Sequence, residues 1–222
     1  MIAIKLVLGF GIGAILGALV WLTSRYFIAA YTDAASMGQK ISLRDFISAS
    51  GLASVLGMAT WGGYVAWRLS EIDLIIATSV TTAILLVVVL VDYQVRRIPN
   101  KMVIVLLLWS TVQLLWLGRP SPRSALLGVV VGGIAFLLLA ILGRGALGMG
   151  DVKFIAAVGA LLGYPLILYS MFWGIMFGGL AAFLLLATKR AGRKDSFAYG
   201  PYLALGAWMI FLGTVNLLPW QH

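Results

Sequence analysis

The chain reads as an all-α protein, a polytopic membrane helical bundle of about eight helical segments with its amino terminus outside. Three observations predict this. Of 222 residues, 62% are hydrophobic and only 10% charged, well above the roughly 45–50% apolar content of soluble domains. Mean hydropathy is +1.05. The apolar residues also fall in runs near the ~20 residues that a helix needs to cross ~30 Å of hydrocarbon.

The runs are 2–23, 46–67, 72–91, 102–117, 125–142, 154–163, 166–188 and 201–218. The part of the first run after Lys5, 6–22, is longer than the ~7–15-residue apolar core of a signal peptide. Gly9, Gly13 and Gly17 recur in it at every fourth position, the spacing of a helix-packing face. It is read as a retained span. The sixth run is too short to cross hydrocarbon at 1.5 Å per residue and is expected as a short helix buried among its neighbours, turning at Gly163-Tyr164-Pro165. Gly128/Gly132 and Gly174/Gly178 repeat the small-residue spacing and predict further close helix crossings. Trp21, Trp67, Trp116 and Trp220 stand near span ends, as interfacial anchors do.

Loop charges give the orientation. One side receives Arg25, Lys40, Arg44, Arg96, Arg97, Lys101, Arg144, Lys153, Lys189, Arg190, Arg193 and Lys194, and the other keeps Lys5, Arg68, Arg119 and Arg123. The richer side is cytoplasmic by the positive-inside bias. Residues 24–45 are then a short cytoplasmic loop, too poor in apolar residues for a core, and 1–222 reads as one transmembrane domain. Arg96 and Arg97 read as anchors for anionic lipid head groups.

The formal charge of +9 is spread in short clusters between apolar runs, so no basic face for nucleic acid can be built. Cysteine is absent and the one histidine is His222. Thiol nucleophiles, cysteine zinc sites, His-based triads and His proton relays are thereby excluded, and no metal site is expected. Carboxylates, hydroxyls and lysines remain.

Two carboxylates stand apart from the rest. Asp92 closes the apolar run 72–91, and Asp151 sits in Gly148-Met149-Gly150-Asp151-Val152-Lys153 ahead of the run from Phe154. Holding an acid against hydrocarbon costs several kcal/mol, of the order of 2.5–3.5 on insertion scales, so a pair at one membrane face suggests joint work. If the helix ends near residue 91, Asp92 meets the negative end of its dipole, which disfavours charge, whereas Asp151 meets a positive end. Unlike environments of this kind are what a shared-proton acid pair needs. On this reading Asp151 is the base and Asp92 the acid, titrating as one unit. Pro99 and Asn100 break the chain after Asp92 and open the next helix, with Asn100 as its N-cap. Gly148 and Gly150 let another backbone approach Asp151, and Lys153 is placed to tune it. Asp33, Asp45, Glu71, Asp73 and Asp195 fall in loops or at span ends and read as solvated.

The stretch Asp92 to Asn100, followed by Gly148-Met149-Gly150-Asp151-Val152-Lys153, resembles the type IV prepilin peptidases, the GxGD aspartic proteases of bacterial membranes. Ala198-Tyr199-Gly200-Pro201-Tyr202-Leu203-Ala204-Leu205-Gly206 is similar to that family's late glycine-proline motif. The resemblance covers roughly 72–218. It implies that Asp92 and Asp151 are the catalytic pair, with Gly148, Gly150, Lys153, Pro99 and Asn100 supporting them. It also implies cleavage of prepilin or pseudopilin leaders at the cytoplasmic face of the inner membrane, with no cofactor. Many relatives also methylate the new amino terminus with S-adenosylmethionine. This chain departs from those bifunctional members, because it lacks their paired-cysteine zinc site and a clear match to their early Asn- and Arg-Pro-containing motif, for which Arg25-Tyr26-Phe27 is the nearest remnant.

Two other readings compete with this one. A proton-coupled transporter or channel would use the acids as cation sites, but it expects them near the midplane on broken helices related by a repeat. An intramembrane protease of the presenilin or signal-peptide-peptidase kind would carry Tyr-Asp on its first catalytic helix, where this chain has Val91-Asp92-Tyr93.

Overall fold

The computed structural model describes residues 2–31, 49–143, 147–188, 198–215 and 217. Among them the regular elements are α1 (Ile2–Tyr31), α2 (Ala49–Arg68), α3 (Ile72–Val95), α4 (Asn100–Leu117), α5 (Pro122–Leu142), α6 (Met149–Leu162), α7 (Leu166–Ala187) and α8 (Gly200–Thr214). All are helices, as hydrocarbon demands of a chain whose backbone groups must be satisfied within each segment. Five of them, α1, α3, α4, α5 and α7, are long and apolar enough to cross a membrane. The chain is a multi-pass membrane protein. At 14 residues, α6 falls short of a span, as the sequence leads one to expect.

The chain divides into two compact units, residues 1–91 with 212–222, and residues 92–211. In the first unit α1 lies against α2 through its glycine face. A Cβ built on Gly9, Gly13 or Gly17 would run into the backbone of Gly62, Met58 or Ser54 on α2. In the second unit α5 and α6 cross where Gly128 meets Gly159, each occupying the space the other's Cβ would need. On α7, Gly174 and Gly178 receive Leu203 and Tyr199, from α8 and the residue before it. The three small-residue pairs read from sequence are thus crossing points, where packing replaces the hydrophobic drive lost in lipid. On α6, Phe154, Ile155, Ala157 and Val158 are fully enclosed, so this short helix is the buried centre of its unit.

Three boundaries differ from expectation. α1 continues through 24–31, so the first part of the expected loop is helical, and the remainder of that loop, with Asp33 and Asp45, lies outside the described residues. No glycine or proline interrupts 18–31, and the Arg25 guanidinium stacks 5.9 Å from the Trp21 ring one turn earlier. α3 runs past residue 91 to Val95 and stops where Arg96 turns into the left-handed region at φ 54°. Pro99 then favours extended backbone for its predecessor. α6 starts at Met149, which places Asp151 inside the helix rather than ahead of it. Glu71 and Asp73 are exposed, as expected, and Asp195 lies outside the described residues.

Candidate active site

Asp92 occupies the last turn of α3, where its own carbonyl accepts from the Arg96 N–H at 2.8 Å. Its side chain is only 3% exposed. A carboxyl at a helix C-terminus faces unsatisfied carbonyls, so a donor must come from elsewhere. It comes from α8: the Gly200 N–H donates to Asp92 Oδ2 at 3.0 Å in a buried hydrogen bond. Gly200 is the first residue of α8 and Tyr199 its cap, with the Tyr199 carbonyl accepting from Tyr202 at 3.1 Å and Leu203 at 3.2 Å. One free N–H of a helix start, that of Gly200, is therefore aimed at the acid. A Cβ at position 200 would lie 2.6 Å from Asp92 Oδ2 and 2.8 Å from Cγ, so only glycine admits this approach.

Asp151 is the third residue of α6, after the cap residue Gly148 (φ −75°, ψ 149°). Its Oδ2 accepts from the Gly148 N–H at 3.2 Å, the half of a capping box that a glycine cap can share. The side chain is half-buried. Burial pushes its carboxyl above the ordinary carboxylate range, and the Gly148 N–H offsets part of that rise. Desolvation thus outweighs the helix start that favours charge. This removes the ground for naming Asp151 the base from its helix position alone. Asp92 and Asp151 both lie in the second unit, at the end of α3 and the start of α6.

The supporting residues gather at the same end. Gly150 faces the turn after α3: a Cβ there would sit 3.3 Å from the Ile98 carbonyl oxygen and 3.4 Å from Ile98 Cβ. This is the close backbone approach that the glycines flanking Asp151 lead one to expect. Pro99, not Asn100, caps α4, with φ −63° and ψ 139° and no side-chain capping bond. Its carbonyl accepts from Met102 at 3.0 Å, which frees the Asn100 side chain for another partner. Asn100 Oδ1 accepts from Lys153 Nζ at 3.1 Å, tying the start of α4 to the first turns of α6. Lys153 therefore reaches across to Asn100. Arg96, Arg97, Lys101 and Lys153 are all exposed, as groups at an aqueous or head-group surface must be.

The contacts of Gly200 and of the Ile98 backbone are not named by sequence reasoning. The signal for Gly200 was present as Gly200-Pro201 opening an apolar run, since proline suits a first helical turn. Nothing in the sequence says which acid it serves. Among the described residues no group of three or more His, Cys, Asp or Glu side chains could hold a metal ion.

The type IV leader peptidase family matches residues 79–183. Prepilin leader peptidase/N-methyltransferase of Neisseria gonorrhoeae is 31% identical over 172 residues, 72% of this chain and 55% of the relative. The proteins of that name from Bacillus subtilis and Pseudomonas aeruginosa are 26% and 27% identical, over 59% and 71% of this chain and 52% and 56% of theirs. The chain thus spans about half the length of the curated relatives it matches. No solved structure matches it. The matched segment, just under half of the chain, holds both aspartates with Pro99, Asn100, Gly148, Gly150 and Lys153, whereas Gly200 lies beyond it; through that segment the chain is similar to the type IV leader peptidase family.

Proposed function

We propose that this chain is a membrane aspartic endopeptidase that removes the leader peptide from type IV prepilins or type II secretion pseudopilins. Asp92 and Asp151 are its catalytic pair, working at the cytoplasmic face of the bacterial inner membrane. The observation that carries this reading is that the turn after Asp92 and the helix start bearing Asp151 are joined, by the Lys153–Asn100 bond and the close approach of Gly150 to Ile98, inside the family-matched segment. The basic clusters flanking the site support the cytoplasmic orientation.

The chemistry follows from a pair that holds one proton between them. The ionised carboxylate takes a proton from water as the water oxygen bonds to the scissile carbonyl carbon. The protonated partner gives its proton to the carbonyl oxygen, forming a neutral gem-diol. A proton then passes to the amide nitrogen, the C–N bond breaks, and the products are a leader carboxylate and a free amine. The buried Gly200 N–H and the Gly148 N–H keep one oxygen of each acid engaged, leaving the others for the water and the shared proton. The Lys153–Asn100 bond and the Gly150–Ile98 approach hold the two acid-bearing elements in register.

The relatives' names join the peptidase to an N-methyltransferase. Methylation would consume S-adenosylmethionine as a second substrate.

The test is co-expression with candidate prepilins, reading the processed amino terminus by mass spectrometry. The wild type is expected to cut between the basic leader and the apolar helix, and Asp92→Asn and Asp151→Asn each to leave the leader in place while the protein still reaches the membrane. Substantial cleavage by either variant, or loss of wild-type cleavage with a chelator, refutes the dyad.

A further inference from the structure

We propose that Gly200 is a positioning residue for Asp92, and that α8 exists at this site to present that one N–H to the acid. The inference rests on the peptidase reading above. The argument begins with a deficit. Asp92 lies in the terminal turn of α3, where its own helix offers carbonyls and no donor, and it is almost fully enclosed. A buried carboxylate without a donor is costly, and its rotamer is fixed only by packing. The Gly200 N–H, 3.0 Å from Oδ2, supplies both the donor and the orientation.

The geometry is exclusive. With a Cβ 2.6 Å from Oδ2, 2.8 Å from Cγ and 3.1 Å from Asp92 Cβ, any other residue displaces the carboxyl. Pro201 cannot provide a second amide, so the bond depends on Gly200 alone at that step of the helix. Further along α8, Gly206 is crowded in the same way against a different element: its Cβ would lie 2.6 Å from the Ser170 carbonyl oxygen and 2.7 Å from the Gly174 nitrogen, both on α7. Two glycines on one helix thus separate the roles. Gly206 serves helix packing, and Gly200 serves the acid.

The experiment compares Gly200→Ala, Gly206→Ala, Asp92→Asn and the wild type in lipid vesicles with a prepilin substrate, with rates normalised to folded protein. Gly200→Ala is expected to lose about 10²-fold in kcat, the scale of an ångström-sized misplacement, with KM unchanged within about twofold. Its acid limb should move to higher pH, because a carboxylate that loses an N–H donor is less readily ionised. Asp151, whose helix start meets the turn after Asp92 through Gly150 and Ile98, is left in place by the substitution. Gly206→Ala should lower thermal stability and keep the wild-type pH profile. A wild-type profile and rate in Gly200→Ala, or the same profile change in Gly206→Ala, overturns the proposal while the peptidase reading stands; cleavage by Asp92→Asn overturns that reading itself. Should Gly200→Ala not fold, Asp92→Ala removes the carboxyl carbons and oxygens that obstruct the new Cβ. The double variant must then recover the folded yield of Asp92→Ala, and its failure to do so overturns the assignment.

Discussion

Enlarging Gly150 in steps measures how closely the two acid-bearing elements must approach. This glycine, on the first turn of α6, meets the backbone of Ile98 in the turn that follows Asp92. A Cβ there would lie 3.3 Å from the Ile98 oxygen, 3.4 Å from its Cβ and 3.5 Å from its nitrogen, against an ordinary contact range that opens at 3.4 Å. Alanine therefore needs a shift of about a tenth of an ångström. It also gains helix propensity, at most ~1 kcal/mol over glycine. Gly150→Ala should be at least as stable as the parent and cleave within a few-fold of its rate. Valine adds two branches, each about 1.5 Å beyond Cβ, in the one rotamer a helix prefers. The 96–99 turn must then recede by about 1 Å, which stretches the 3.1 Å Lys153–Asn100 bond beyond hydrogen-bonding range. A displacement of that size between catalytic groups costs about 10²-fold in kcat. The assay is single-turnover leader cleavage in vesicles, beside thermal unfolding. Wild-type activity in Gly150→Val, or an alanine variant as impaired as valine, would refute the claim that this approach sets the dyad.

Two further outcomes follow from burial and packing. Because burial holds the Asp151 carboxyl above its ordinary range, its protonated form favours the fold. That contribution is complete below the ordinary carboxylate pKa and is lost as pH rises through the raised folded value. Wild-type thermal stability should fall across that interval, whereas Asp151→Asn, with nothing to ionise, should flatten the dependence while abolishing cleavage; an undiminished slope in the variant would locate the effect elsewhere. At the α5–α6 crossing, a Cβ on Gly159 would overlap the Gly128 carbonyl and come 2.8 Å from the Val129 nitrogen, whereas one on Gly133 would sit 3.4 Å from Ala156 Cβ, an ordinary contact. Gly159→Ala should cost about 1–3 kcal/mol as overpacking does and Gly133→Ala almost nothing; equal losses in unfolding experiments would show that the crossing is not set by these glycines.

Much of this was legible in the chain because lipid simplifies the rules. Apolar runs had to be helices, and the spacing of Gly9, Gly13, Gly17, Gly128, Gly132, Gly174 and Gly178 marked the faces that approach. Asp92 and Asp151 stood out because carboxyls are rare against hydrocarbon. Helix ends were less legible. Residues 92–95 and 149–153 are polar enough to read as loop, yet their backbones stay helical because each end finds a cap: Arg96 in the left-handed region, and Asp151 closing back on Gly148. Asn100 read as a cap from its residue type. The fixed φ of Pro99 took that position instead, and the freed amide oxygen went to Lys153. Such choices depend on which neighbour arrives, and Lys153 is 53 positions away. For the same reason Gly200 was readable as a helix start and not as the partner of an acid 108 positions earlier.

The two acids begin from opposite ends of their helices and finish with the same dressing. Asp151 has a helix start of its own and accepts from Gly148, where a Cβ would sit 3.4 Å from Oδ2. Asp92 has a helix end and borrows the start of α8 through Gly200. In both cases the donor is a glycine amide, but only at Gly200 would a Cβ collide with the carboxyl it serves. The late glycine-proline stretch is thus required by the position of Asp92 at the end of α3: an acid on the last turn of one helix needs the first turn of another.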